Sequence, residues 1–142
     1  MKRQAKRQPR PAKLVMVGTF PIDGHPLRVQ LEWERENAYL RNLPKDDGPA
    51  VVGIGCDFGR NAWRAILDRV IHEGLEFMFL SRGWAHEPWG ENGISSSNRT
   101  FVFSHEQYQV AVYFLAGFLD KVLPEVKREW LKMRKAHKQP TP

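Results

Sequence analysis

The sequence predicts an α+β fold: a mostly antiparallel sheet built from an N-terminal hairpin and further strands, two or three helices packed on one face, and basic, flexible termini. Three observations carry this reading. Apolar and polar residues alternate from Leu27 to Trp33, just after an Asp23-Gly24 pair, which is the mark of a hairpin. Two later stretches, residues 60–73 and 105–123, repeat apolar residues at helical spacing. Both ends of the chain are densely basic.

The elements follow in order. Leu27, Val29, Leu31 and Trp33 alternate with Arg28, Gln30, Glu32 and Glu34, so the first set faces the core and the second faces solvent. Folding about Asp23-Gly24 sets Phe20 opposite Leu27, Gly18 opposite Val29, Met16 opposite Leu31 and Leu14 opposite Trp33, a register in which the apolar faces coincide. A short strand through Tyr39 comes next, then a turn at residues 44–48 and a strand rich in β-branched residues at 50–56. Residues 60–73 form the first helix on a stripe of Trp63, Ile66, Leu67, Val70 and Ile71, stopped by Gly74. Residues 75–80 have strand length, with residues 100–104 as a partner strand. Ser104 and Gln107 make a capping box for the second helix. That helix is apolar nearly all round through residues 110–119, so it should sit deep on the sheet or in a dimer contact. Pro124 should break or kink it, or begin a third helix carrying Val126, Trp130 and Met133.

The chain has 142 residues and a formal charge of +6, with 42% hydrophobic and 11% aromatic residues, enough for one domain with one modest core. The expected organisation is a basic arm at residues 1–13, a single α+β domain at 14–123, and a basic helix and tail at 124–142. The charge is polarised. Residues 1–13 carry +6, residues 127–142 carry +5, and the stretch between them carries −5. The longest apolar run covers ten residues, half of the ~20 that a membrane helix needs. No apolar stretch follows the basic start, so a cytoplasmic or otherwise intracellular protein with no membrane partner is expected. A single cysteine, Cys56, excludes an internal disulfide and a multi-cysteine zinc site.

Short, like-charged, Pro-containing arms cannot bury a core and suit contact with phosphate backbone through counterion release. Lys2, Arg3, Lys6, Arg7, Arg10 and Lys13 at one end, and Lys127, Arg128, Lys132, Arg134 and Lys135 at the other, are the candidate nucleic-acid contacts. The long stretch 81–99 holds Trp84 and Trp89 among Arg82, His86, Asn98 and Arg99. It is either a partner-binding loop or a lid folded over the core.

Residues 53–59 hold three glycines between a strand and a helix, but the spacing matches neither the dinucleotide fingerprint nor a P-loop, so a tight turn is the simpler reading. The pairs His72-Glu73, His86-Glu87 and His105-Glu106 lack ligand spacing, and Cys56 has no partner in sequence; no metal, cofactor or catalytic residue is expected. The sequence thus favours a non-enzymatic protein whose basic arms contact nucleic acid or a nucleoprotein assembly. The alternative is a protein-binding inhibitor or adaptor, of a size that suits a phage or mobile-element accessory protein, anchored by the loop with Trp84 and Trp89. A small enzyme using residues 53–59 to hold an anion is the third reading. Oligomeric state is not legible.

Overall fold

A computed structural model describes residues 13–41, 49–56, 63–86, 100–101 and 103–138. The turn expected at residues 44–48 lies outside them. Strands β1 (Leu14–Ile22), β2 (His25–Glu32), β3 (Tyr39–Arg41) and β4 (Ala50–Gly55) form one sheet in the order β1-β2-β4-β3. Helix α1 spans Trp63–Ser81, β5 (Ala85–His86) pairs with β6 (Thr100–Phe101), and helix α2 spans His105–Lys138.

The hairpin turns where the sequence places it. Asp23 and Gly24 both have positive φ, 52° and 77°, as a two-residue turn requires. Phe20 faces Leu27 and Gly18 faces Val29 as expected, but an irregularity between Met16 and Gly18 shifts the rest by one residue. Val15, not Met16, then faces Leu31, and Leu14 faces Glu32 rather than Trp33. A bulge sends following side chains to the opposite face, which is why Leu14 and Met16 are about half exposed. On β2 the inner half of the expected alternation holds, with Leu27, Val29 and Leu31 buried; of the outer residues Arg28 is exposed, but Gln30 and Glu32 are only partly so, because Tyr39 packs against them.

The sheet is mixed, not mostly antiparallel. β4 lies between β2 and β3, parallel to β2 from Leu27↔Ala50 to Glu32↔Gly55 and antiparallel to β3. Its nearly uninterrupted apolar run suits a central strand covered on both faces. Ala50, Val52 and Ile54 share the inner face with Leu27, Val29 and Leu31, and both helices join that one apolar cluster.

Two further expectations are corrected. Residues 75–80 are not a strand; α1 continues through them to Ser81, burying Phe77 two turns beyond Val70 and Met78 one turn beyond Gly74. Gly74 does not stop the helix, because it is the point where α1 meets α2: an added Cβ would stand 3.1 Å from Phe118 Cε1 and 3.3 Å from Leu115 Cδ1. Residues 100–101 consequently pair with β5, not with 75–80. Helices among the described residues number two, because α2 runs through Pro124. A proline inside a helix loses one backbone hydrogen bond and crowds the preceding turn, together costing about 3 kcal/mol, and buried Val122, Val126, Trp130 and Met133 hold the two halves together. The capping box is formed, with Gln107 N–H donating to Ser104 Oγ at 3.2 Å and Ser104 N–H to Gln107 Oε1 at 2.6 Å. The apolar stretch 110–119 is only half buried: Ala111 and Phe118 are inside, whereas Val110, Val112 and Tyr113 are exposed. Among the described residues no helix is long and apolar enough to cross a membrane.

Candidate nucleic-acid interface

Lys13, the last residue of the basic N-terminal segment, and the basic C-terminal turns of α2 lie at one end of the fold. The described chain begins at Lys13, whose carbonyl accepts the Trp33 N–H at 2.7 Å. Trp33 in turn stacks on His137 near the C-terminus of α2, with ring centroids 3.8 Å apart and planes 9° from parallel. Two turns of α2 earlier, Trp130 is buried against Trp63 at the start of α1, 5.7 Å between centroids. These indoles pin the basic end of α2 to the sheet and to α1. The alternation that marks β2 thus delivers Trp33 to the strand's end, where it becomes a docking platform for a helix distant in sequence.

Cations surround this aromatic cluster. Lys127 Nζ lies 5.5 Å from the centre of Trp63, and the Arg134 guanidinium 5.3 Å from that of Trp130, within the range of cation–π attraction. Lys135 is exposed. Arg128 and Lys132 are also exposed but already paired: Arg128 with Glu125 and Glu129, Lys132 with Glu129 at 2.8 Å. The Lys132 hydrogen bond foremost, then that of Arg128, holds the Glu129 carboxyl below its ordinary range, so it stays ionised and offsets part of the local charge. Lys13 is likewise paired, with Glu34 at 2.6 Å. Lys127, Arg134 and Lys135 are therefore the cations of α2 best placed for an external anion. Lys2, Arg3, Lys6, Arg7 and Arg10 lie outside the described residues.

A second basic patch, not anticipated from sequence, covers the outer face of the sheet. Tyr39 and Gly53 are cross-strand partners, and the tyrosine ring occupies the space where a Gly53 side chain would stand. The Arg35 and Arg41 guanidinium groups lie 4.2 and 4.4 Å from the ring centre, and exposed Arg28 shares this face. Glu32 accepts hydrogen bonds from Tyr39 Oη and Gln30 Nε2, and Gln30 also donates to Tyr39 Oη at 2.6 Å. Burial first, then the Glu32 carboxylate, raises the Tyr39 hydroxyl above its ordinary pKa, so it remains a donor. The only sequence cue was the aromatic between basic residues at 35–41; the pairing of β3 with β4 was needed to place it on the sheet face.

The loop expected to bind a partner is seen in part. Trp84 is half-buried and packs on Phe79, 6.0 Å between centroids. Arg82 is committed elsewhere, donating Nε and Nη2 to the Asp23 carboxylate at 2.5 and 2.7 Å and so tying the hairpin turn to the end of α1. His86 lies in β5; Trp89, Asn98 and Arg99 lie outside the described residues. Of the glycines at 53–59, Gly53 is accounted for by Tyr39, and Gly55 by the Arg35 and Asn37 carbonyl oxygens, 2.5 Å from where its Cβ would stand. Residues 57–62 lie outside the described residues. Cys56 is buried and burial pushes its thiol pKa up to about 12, the state of an inert side chain. On α1, His72 and Glu76 form an i,i+4 pair at 3.7 Å, and the donor atoms of His72, Glu73 and Glu76 fall within 4.8 Å of one another.

Comparison with family models, with curated proteins and with solved structures returns no match.

Proposed function

We propose that this chain is a non-enzymatic binding protein that grips nucleic acid, alone or within a nucleoprotein assembly, through the basic end of the fold. One observation carries the reading: Lys13 and the C-terminal turns of α2 meet through Trp33 and His137. Residues 1–12, with five of the chain's 22 basic residues, are therefore covalently rooted beside Lys127, Arg134 and Lys135. Charges that would be diffuse on two separate ends act on one stretch of phosphate backbone, where each neutralised phosphate adds counterion release. On the sheet face Arg28 and Arg41 extend the same sign of charge, while Arg35 is paired with Glu32 at 3.7 Å. Trp84, half-buried against Phe79, belongs to the packing of the fold and not to this interface.

The test is fluorescence anisotropy with single- and double-stranded DNA and RNA across a salt series. Triple reversal of Lys127, Arg134 and Lys135 to Glu should weaken binding on every sequence and flatten the duplex log–log salt slope by about 3. Trp84→Ala should lower stability and leave the affinity of the folded fraction unchanged. Unaltered affinity and slope in the triple variant would refute the interface. Lost binding in a fully folded Trp84→Ala would move the site to the loop.

A further inference from the structure

The N-terminal half of α2 has two unlike faces. Ala111, Phe118 and Val122 are buried against the rest of the fold. On the far side Glu106, Val110, Tyr113, Gly117 and Lys121 are all exposed, Tyr113 at 75%. Steps of three and four residues keep these five in one stripe along the helix.

Gly117 is the unexplained member. Glycine inside a helix is disfavoured relative to alanine, and Gly74 shows what justifies it here, a crowded helix–helix contact. An added Cβ at Gly117 meets nothing within 4 Å among the described residues. Among the described residues the close approach that this glycine would permit is unfilled.

We propose that a second copy of this chain fills that space, in a two-fold antiparallel pairing of α2 on α2 with Tyr113 of each copy seated over Gly117 of the other. A large exposed ring and a vacant position four residues away on the same stripe are complementary to each other, which is what a two-fold contact demands. Charge fixes the direction. Glu106 stands at one end of the stripe and Lys121 at the other, so the antiparallel arrangement brings each acidic end to the basic end of the other copy. A parallel arrangement would set like charge on like and bring Lys127, Arg134 and Lys135 of the two copies side by side. The pairing does not depend on the nucleic-acid reading, because it uses the opposite half of α2.

A contact of this size falls among weak, reversible interfaces, for which Kd is of the order of micromolar. Sedimentation equilibrium of the full chain over a range of concentrations, with circular dichroism as the check on folding, reads it directly. The wild type should show a monomer–dimer equilibrium. Gly117→Leu, which fills the slot, and Tyr113→Ser, at an exposed position, should each raise Kd about tenfold or more with the spectrum unchanged. Glu106→Lys should weaken the dimer, and adding Lys121→Glu should restore it. A monomer at every concentration, a dimer that neither Gly117→Leu nor Tyr113→Ser weakens, or a double charge swap weaker than the single reversal would each overturn the proposal.

Discussion

Replacing Glu73 by Gln should stabilise this protein at neutral pH and do nothing in acid. Glu73 lies on the core side of α1, between Val70 and Phe77, and is 5% exposed. Burial foremost, then the nearby Glu76 carboxylate, raises its pKa above the ordinary glutamate value, with His72 opposing. The folded-state pKa is thus above the unfolded one, about 4.3. Such a group is harmless below ~4.3, where both states hold the proton, and its stabilising contribution is lost as pH rises through the folded pKa. Above that value folding must either bury a charge or hold a proton that the unfolded chain would release. Glutamine keeps the shape and removes the charge. The gain at pH 7 should be about 1–2 kcal/mol, the scale of desolvating a buried polar group, reduced because the amide also prefers water. Urea unfolding of both proteins from pH 3.5 to 8 gives the difference directly and cancels the titration of the other carboxylates. A difference independent of pH would refute the argument. So would a Gln variant less stable at pH 7, which would mean that the ionised carboxylate is held by favourable contacts.

Two other substitutions test the packing. Leu31→Ala, at a fully buried site, should cost about 2–5 kcal/mol, whereas Met16→Ala should stay within about 0.5 kcal/mol because the irregularity in β1 turns Met16 outward; chemical denaturation of the pair reads the register. Gly74→Ala gains about 1 kcal/mol of helix propensity but crowds Phe118 and Leu115, for which 1–3 kcal/mol is typical. The net should be a loss of zero to ~2 kcal/mol, and a clear rise in unfolding midpoint would show that the two helices are not in close contact there.

Local chemistry was legible in the sequence, and long-range geometry was not. Asp23-Gly24, the Ser104–Gln107 box and the alternation of Leu27, Val29 and Leu31 each state their structure within a few residues, because the cause is local: positive φ, an orphan N–H, a two-residue period. The irregularity at Val17 leaves no such trace; one extra residue reverses a face without changing composition. Residues 75–80 are ambiguous for a different reason, since a run of six with five apolar residues satisfies a buried strand or a buried helix equally well. The parallel direction of β4 depends on where the chain returns after β3, which no residue of β4 encodes. Among the site residues, the terminal charges could be counted from sequence, but the pairing of Arg128 and Lys132 with Glu125 and Glu129 subtracts from that count. The patch of Arg28, Arg35, Tyr39 and Arg41 needed two strands and the connecting segment to be brought together.

The aromatic cluster at the basic end links the packing of this fold to the recognition proposed for it. Trp33, Trp63, Trp130 and His137 bury apolar surface that draws the last turns of a 34-residue helix onto the sheet. A terminal helix this rich in like charge would otherwise fray, because its own exposed pairs of Arg128 with Glu125 and Lys132 with Glu129 are worth only about 0.2–0.5 kcal/mol each. The same rings also lie under Lys127 and Arg134. A long cation resting on an indole has surrendered part of its rotamer freedom before any phosphate arrives, so less conformational entropy remains to be lost on binding. Indoles that would stand idle on a solvated helix here set the direction in which the charges point. Residues 1–12 have no such support in their sequence, being polar, basic and Pro-containing. On the proposed function the two basic segments would divide the work on physical grounds: α2 would supply preorganised contacts that fix position, and the arm that precedes Lys13 would supply additional charge.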